Sequence, residues 1–407
     1  MEQVSKGWKR QTVLFLISQC VTLFGSMIVQ MAVIWYVTLS TSSGAWVAAF
    51  SVCSYLPQFL ISFPAGVWAD RYSRRRIIIL ADGMIAVATL VMACLMPLIP
   101  SEHGLLTALL VMSALRSLGA GIQTPAVSAV IPSLVPEQYL MRYNGINATM
   151  QSVVQFAAPA AAGAVLAVGT LRTTLLIDVA TAAVGIGLLA CVRIAHQAPC
   201  EQSGDLLADI RAGLRYAFKD KSIGRLLVVY GLFIFLCVPA GFMSGLLISR
   251  IYGDTYWYLT ASELVGFAGM AIGGMIMGVW GSFRSRVKTL VLGLALLGAM
   301  TIGLGIAPVF ILYLAAMFLY SLAITAVQTA TTTLIQETTD AAMQGRVFGL
   351  MGAMYSGFLP LGMVAFGPLA DLMPLQWLMI GTGLPLMLLG LCMKEQSAAR
   401  EGEHGDR

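Results

Sequence analysis

Charge is what this chain has least of. Asp, Glu, Lys and Arg together make up 11% of its 407 residues, where a soluble domain carries about 25%. So little charge cannot clothe a water-exposed surface. Histidine is scarcer still: His103, His196 and His404 all fall in polar loops or the tail, which argues against a histidine proton relay inside a membrane. The seven cysteines carry no CxxC pair and no Cys/His ligand spacing, so neither a metal nor a redox cofactor is expected. There is no glycine-rich loop ending in Lys-Ser or Lys-Thr to cradle phosphates, so nothing supports transport driven by ATP. Paired Asp-rich motifs and intramembrane histidines are missing too, which disfavours a polytopic membrane enzyme.

What is present is apolar. Hydrophobic residues reach 58% and the mean hydropathy is +0.84. Apolar runs of about 18 residues or more are long enough to cross a bilayer. Twelve are found, at about 12–38, 45–69, 77–98, 105–130, 145–168, 173–195, 223–249, 257–281, 288–306, 309–335, 346–371 and 374–393. Backbone polar groups in hydrocarbon must pair within their own segment, so each run is expected to be a helix. The first run is too long, and too polar at its start, to read as a cleaved signal peptide.

The basic residues orient these spans. With the N-terminus in the cytoplasm, 21 of the 24 Lys and Arg fall on the cytoplasmic side. Arg172 and Arg250 fall outside, and Arg116 lies in mid-membrane. Both termini are therefore expected in the cytoplasm, with the chain a multi-pass protein of a bacterial inner membrane. The formal net charge of +5 describes an inner membrane face, not a nucleic-acid surface.

A short string occurs twice. GVWADRYSRRR spans 66–76 and GVWGSFRSRVK spans 278–288. A second correspondence sets Arg142, Gly145, Ser152 and Gly163 against Arg346, Gly349, Ser356 and Gly367. The chain therefore reads as two homologous halves. The expected fold is an all-α integral membrane protein: twelve transmembrane helices in two pseudo-symmetric six-helix bundles. The expected divisions are a first bundle over 1–195, a cytoplasmic linker over 196–222, a second bundle over 223–394 and a polar tail over 395–407. Within the linker, Leu207, Ile210, Leu214 and Phe218 form one helical stripe, with Asp205 as N-cap. That helix either lies on the inner leaflet or only covers the base of the bundle. The tail is short and polar and is expected to be disordered.

Gly66-Val-Trp-Ala-Asp70-Arg71-Tyr-Ser-Arg74-Arg75 resembles the signature between the second and third spans of the major facilitator superfamily. Within that superfamily the chain is most similar to the drug:proton antiporter branch that includes macrolide efflux proteins. The supporting residues are the echo at 278–288 and the stretch Leu115 to Pro136. The resemblance implies that Asp70 meets the N-terminus of the eleventh span near Gly345-Arg346 and holds a cytoplasmic gate closed. Independently of family, Gly66 lacks a Cβ and would let another helix approach closely, and a carboxylate suits a positive helix end. Gly66, Asp70, Arg71, Arg74 and Arg75 are the gating candidates, although Arg74, Arg75 and Arg76 are also explained by topology alone. The second copy has Ser282 and Phe283 in place of Asp-Arg, which makes the lock one-sided.

Ionisable groups inside a membrane are costly and point to function. Arg116 matches the Arg-x-x-x-x-Gly pattern that the resemblance associates with proton coupling, and its counterpart in the second half is Tyr320. Glu263 in the eighth span is the first choice for the proton carrier. Asp178 and Asp82 are the further candidates for proton coupling, although Asp178 reads more readily as an outer interfacial carboxylate and Asp82 as a cytoplasmic-end contact. Gln19, Gln30, Gln123 and Gln328 are polar candidates for a substrate cavity. Pro239-Ala-Gly241 in the seventh span, and Gly357, Pro360 and Gly362 in the eleventh, are candidate bends. Two departures count against antiport: the first span has no acidic residue, and the fifth-span glycine-proline pattern survives only as Ala158-Pro159-Ala-Ala-Ala-Gly163.

These features favour a monomeric secondary transporter that exports hydrophobic or amphiphilic small molecules in exchange for protons by alternating access. Its expected partners are the small-molecule substrate, protons and the lipid bilayer. Uptake of a small solute by symport is the alternative.

Overall fold

The computed structural model describes residues 7–192, 215, 219, 221–280, 286–340 and 343–405. The described residues form helices joined by short turns, with no strand among them. Ten helices are long and apolar enough to cross a membrane, and two shorter apolar helices, Ile223–Leu236 and Leu375–Leu391, complete the twelve expected spans. Contacts divide the chain into two units. One comprises Met1–Ser40 and Ala49–Gln202, the other Thr41–Ala48 and Ser203–Arg407.

Apart from Thr41–Ala48, which belong to the second unit, the first unit is built from α1 (Trp8–Thr41), α2 (Gly44–Arg71), α3 (Arg74–Leu95), α4 (Glu102–Leu134), α5 (Leu140–Val168) and α6 (Leu171–Ala190). Local sequence sets several ends. Ser101 caps α4 by accepting the Gly104 N–H at 3.3 Å, and Thr170 caps α6 by accepting the Thr173 N–H at 3.3 Å. The arginines after α2 bond carbonyls at the ends of α2 and α6, and one carbonyl inside α4. Arg74 donates to the Ala69 carbonyl at 3.3 Å and the Ala129 carbonyl at 2.8 Å, and Arg75 donates to the carbonyl of Ala190, the last residue of α6. A cation at a helix C-terminus answers its unpaired carbonyls. Both side chains thus do more than fix topology.

Small residues set how closely the helices pack. A Cβ on Gly121 in α4 would lie 2.6 Å from the Gln58 carbonyl oxygen of α2. One on Gly185 in α6 would lie 3.2 Å from the Ser18 carbonyl oxygen, and the Ser18 hydroxyl donates to the Gly185 carbonyl at 2.9 Å. In hydrocarbon such approach brings dispersion and hydrogen bonding that lipid cannot replace. Gly66 does not work this way: its Cβ would meet nothing within 4 Å. The close packing predicted there is found two spans later at Gly121, because a missing Cβ permits an approach without requiring one. The outward faces are apolar, with Leu80, Val168 and Leu312 well exposed, as lipid demands.

The second unit begins with a broken span. It runs as α7 (Lys221–Leu236), α8 (Val238–Phe242) and α9 (Ser244–Ile251). The first break falls at Cys237, two residues before Pro239, which lacks the N–H that would bond the Phe235 carbonyl. The Tyr320 hydroxyl donates to the Cys237 carbonyl at 3.5 Å beside the break. Pro239-Ala-Gly241 therefore bends the span as the sequence implies. There follow α10 (Tyr256–Trp280), α11 (Arg286–Ile306), α12 (Phe310–Thr338), α13 (Gln344–Leu372) and α14 (Leu375–Gly405). α13 runs on as one helix through Pro360 and Pro368. Gly298 of α11 and Gly383 of α14 face each other, and a Cβ on Gly383 would lie 2.7 Å from the Gly298 carbonyl oxygen.

The tail departs from expectation. α14 continues to Gly405 instead of ending near residue 393. Residues 394–402 are rich in Lys, Glu, Gln, Ala and Arg with no proline, and that composition favours helix even when polar. The linker stripe at Leu207, Ile210, Leu214 and Phe218 and the second-copy residues Ser282 and Phe283 lie outside the described residues.

The α11–α14 contact gives a stability prediction. Gly383→Val puts three carbons where a carbonyl already sits, and overpacking of this kind costs about 1–3 kcal/mol. The thermal midpoint of the detergent-solubilised protein should fall by several degrees. Gly274→Ala, whose Cβ meets nothing within 4 Å, should leave it unchanged. Equal midpoints for the two variants would contradict the packing.

Candidate functional site: a buried charge network in the first unit

Three of the four proton-coupling candidates converge in the first unit. Arg116 is the fifteenth residue of α4, about 21 Å along the axis from its start at 1.5 Å per residue. Its side chain is 11% exposed and pairs with Asp178, which is 2% exposed. The same Arg116 amino group donates to the Thr89 hydroxyl oxygen of α3. Its other amino group reaches the Ser26 hydroxyl of α1 at 3.2 Å and the Ser26 carbonyl at 3.4 Å. Thr89 lies 3.1 Å from the Asp178 carboxylate and 2.9 Å from the Ile85 carbonyl, and its single proton can serve one of them at a time. Four helices thus meet on one guanidinium.

The backbone makes room for this arrangement. Gly25 of α1 faces α6, where a Cβ would overlap the Thr181 hydroxyl and lie 3.1 Å from Asp178 Oδ1. Ser117, the residue after Arg116, accepts the Gln58 N–H at 2.9 Å and donates to the Ser54 carbonyl at 2.7 Å. Those two bonds tie α4 to α2 at the level of the arginine. The Gln58 N–H is free to pair with Ser117 because its helical acceptor Ser54 is bonded by the same hydroxyl.

Asp82 sits seven residues before Thr89 on the same face of α3. It is buried, and one carboxyl oxygen accepts the Gln123 amide at 2.7 Å. The other oxygen is buried without a hydrogen-bond partner among the described residues. Asp82 and Asp178 lie within electrostatic reach of each other. A buried carboxyl oxygen with no donor is expensive when charged and cheap when neutral, and that arrangement suits a group that takes up and releases a proton.

The other candidates are distributed differently. Asp178 is a buried ion-pair partner, not an outer interfacial carboxylate, because α6 carries it about two turns below its first residue. Asp82 is likewise no end contact: it is 1% exposed and held by Gln123. Gln123 is thereby committed to a carboxyl. Gln19 has a buried amide nitrogen with no partner among the described residues. Gln30 is half-buried and Gln328 exposed. Glu263 lies in the second unit on α10, half-buried and next to Ser262, and makes no hydrogen bond or ion pair among the described residues. Arg71 is exposed, and the side chains of Asp70 and Arg346 lie outside the described set. Ser26 and Thr89 were not singled out from the sequence. Thr89 was findable, since it stands two turns from Asp82 on one helix face; Ser26 carried no local signal.

The ion pair can be tested by its asymmetry. Asp178→Ala strands a buried guanidinium and should destabilise by about 3–5 kcal/mol. The double substitution Arg116→Met, Asp178→Leu removes both charges and should recover most of that loss. The check is thermal unfolding of the purified protein. A single substitution as stable as the parent would show that the pair does not hold the first unit together.

Comparison with known proteins agrees with the fold. A model of the Major Facilitator Superfamily matches residues 15–363. The chain is 28% identical over 393 residues to Macrolide efflux protein A of Streptococcus pyogenes, covering 95% of this chain and 96% of that one. It is 24% identical over 386 residues to Multidrug efflux pump Tap of Mycolicibacterium fortuitum, covering 90% and 91%. Among solved structures, a bacterial homologue of the iron transporter ferroportin in its inward-facing state matches with a TM-score of 0.71 at 17% identity, over 94% of this chain and 98% of that one. A peptide transporter in complex with alafosfalin matches with a TM-score of 0.72 at 13% identity, over 95% and 94%. The twelve helical spans and the family match over most of the chain place it in the Major Facilitator Superfamily, to which it belongs.

Proposed function

We propose that this protein exports hydrophobic or amphiphilic small molecules, macrolide-like drugs or metabolites among them, across a bacterial cytoplasmic membrane in exchange for protons. The observation that carries the reading is the buried network of Arg116, Asp178, Thr89 and Ser26 with Asp82 alongside. A merely structural membrane bundle gains nothing from a guanidinium and two carboxyls in its interior. Relatives named for macrolide and multidrug efflux, aligned over nearly the whole chain, supply the direction and the substrate class.

In this mechanism the Arg116–Asp178 pair is the fixed element. Its charges answer each other, so it can stay ionised through the cycle. Asp82 and Glu263 are the exchangeable carboxyls, one in each unit, and each lacks a full set of donors. A proton on such a carboxyl neutralises it. Substrate binding and protonation then favour different states of the transporter, which is the thermodynamic requirement for exchange. Asp70, Gly66 and the arginines that follow are assigned to the gate, and Gln19, Gln30 and Gln328 to the substrate path. Both termini lie in the cytoplasm, and one chain suffices for transport.

Export is tested in a drug-sensitive bacterial host. Expression should raise the concentration of erythromycin needed to stop growth and should lower dye accumulation, and a protonophore should abolish both effects. Increased sensitivity instead would favour uptake.

The carriers are tested by isosteric amides. Asp82→Asn and Glu263→Gln imitate the protonated carboxyls permanently. Each should fold, bind the substrate and allow downhill movement, while losing uphill efflux by at least tenfold, the effect of about 1.4 kcal/mol on one step. Vesicles under an imposed pH gradient, compared with equilibrium binding, make the measurement. Wild-type uphill rates in both variants would move the carrier role elsewhere.

A further inference from the structure

A second polar constellation, unrelated to the proton network, surrounds the start of α2. It lies wholly within the second unit, which takes in Thr41–Ala48. Asp371, next to last in α13, accepts three hydrogen bonds there. The Gly44 N–H reaches Oδ1 at 2.6 Å, the Ala45 N–H reaches Oδ2 at 2.9 Å, and the Ser43 hydroxyl reaches Oδ2 at 2.8 Å. Arg250, in the last turn of α9, donates to Asp371 Oδ1 at 2.9 Å, to the Ala370 carbonyl at 2.5 Å and to the Ser42 carbonyl at 2.5 and 3.1 Å. Ser43 caps its own helix in the ordinary way, accepting the Trp46 N–H at 3.4 Å. The first free N–H groups of α2 are therefore held by a carboxylate more than 300 residues away in sequence, which the positive end of a helix favours.

The backbone is shaped for this contact. Ser42 adopts a left-handed conformation, φ 47, rare for a residue with a side chain. Gly44 has no Cβ, and one would lie 2.7 Å from the Ala370 Cβ. Gly367 lies below, and a Cβ there would lie 3.0 Å from the Gly44 carbonyl oxygen. The string Gly367-Pro-Leu-Ala-Asp371 has the same Gly-x-x-Ala-Asp form as Gly66-Val-Trp-Ala-Asp70. α2 ends on such a string, and the start of α2 is gripped by another.

We propose that Asp371 and Arg250 form a releasable clasp on the start of α2, closed in this structure and opened once in each transport cycle. Two features make the contact releasable. Asp371 and Arg250 are 30% and 29% exposed, so water can take over their bonds, unlike those of the Arg116–Asp178 pair. The surfaces beneath are glycine and alanine, which separate without unlocking large side chains. The chain also supplies a reason for release. Residues 41–48 continue directly into α1 and α2 of the first unit, so movement of one unit past the other must carry this grip along or break it. The cyclic opening rests on the transport reading; the grip itself does not.

The test uses the full-length protein, purified in detergent, with its seven cysteines replaced and Val47→Cys as reporter. Val47 is 1% exposed, three residues into α2. A water-soluble maleimide should label Val47→Cys slowly while the clasp is intact. Asp371→Asn should speed labelling roughly tenfold, as expected for loss of a charge-assisted bond. Arg250→Lys, which keeps the charge but not the fork of bonds, should give a smaller increase and serves if Asp371→Asn does not fold. Erythromycin should change the labelling rate with Asp371 present and have no effect in Asp371→Asn. Labelling unaffected by Asp371→Asn or by Arg250→Lys would overturn the clasp. Labelling that responds to those substitutions but never to erythromycin, in protein that moves erythromycin in vesicles, would overturn its cyclic opening. If the parent moves no erythromycin while the substitutions still speed labelling, the export reading fails and the grip stands.

Discussion

Arg116 places a permanent positive charge in the middle of a membrane-spanning helix, and the first unit is organised around answering it. Four helices contribute. α6 brings the carboxylate of Asp178, α3 the hydroxyl of Thr89, α1 the hydroxyl and carbonyl of Ser26, and α4 the arginine itself. Water would do the same job at no structural cost, but lipid cannot. The need to satisfy one guanidinium therefore fixes distances between elements far apart in sequence. Glycines at positions 25, 121 and 185 remove the side chains that would hold those elements apart. The ion pair and the small-residue contacts act together: neither forms at these distances without the other.

Much of the architecture was legible because the bilayer leaves few alternatives. The twelve apolar runs could only become helices, and apart from the broken seventh span and the extended last helix their ends agree with the observed helices to within about five residues, as at 257–281 against Tyr256–Trp280. Pro239 stood beside the break in the seventh span, whereas Pro360, read in the same way, left α13 unbroken, because a missing N–H weakens a helix without deciding where it ends. Arg116 stood out as a lone charge in an apolar run. Its partner did not, because pairing depends on the rotation of α6 about its axis and on which face meets α4, and neither is written locally. Asp178 therefore read more readily as an interfacial group. Gly66 misled for the same reason: absence of a Cβ is local, while the helix that would use the space is not. The tail was misjudged because polarity was taken for disorder, although residues rich in Ala, Glu, Lys and Arg remain good helix formers.

The two units handle charge in contrasting ways. The first buries it deep, where an ion pair is costly to break, with the buried carboxyl of Asp82 on a neighbouring helix. The second keeps its principal pair, Arg250–Asp371, near the end of its helices and partly wet, where bonds can be exchanged. Glu263 is the exception in the second unit, a half-buried carboxyl with no described partner. Tyr320, which stands where Arg116 does in the duplicated pattern, bonds the carbonyl of Cys237 at the broken span. Duplication preserved the helices, while the chemistry at matched positions diverged from charge balance in one half to helix breakage in the other.

The central claim is that outward drug movement and inward proton movement are one coupled event. It is tested most directly by reconstituting the purified protein in liposomes and following erythromycin and internal pH in the same sample, with no pH gradient at the start. Driving erythromycin down its own concentration gradient should move protons in the opposite direction and build a pH difference that a protonophore collapses. Erythromycin flux through the protein with no accompanying pH change would contradict the account.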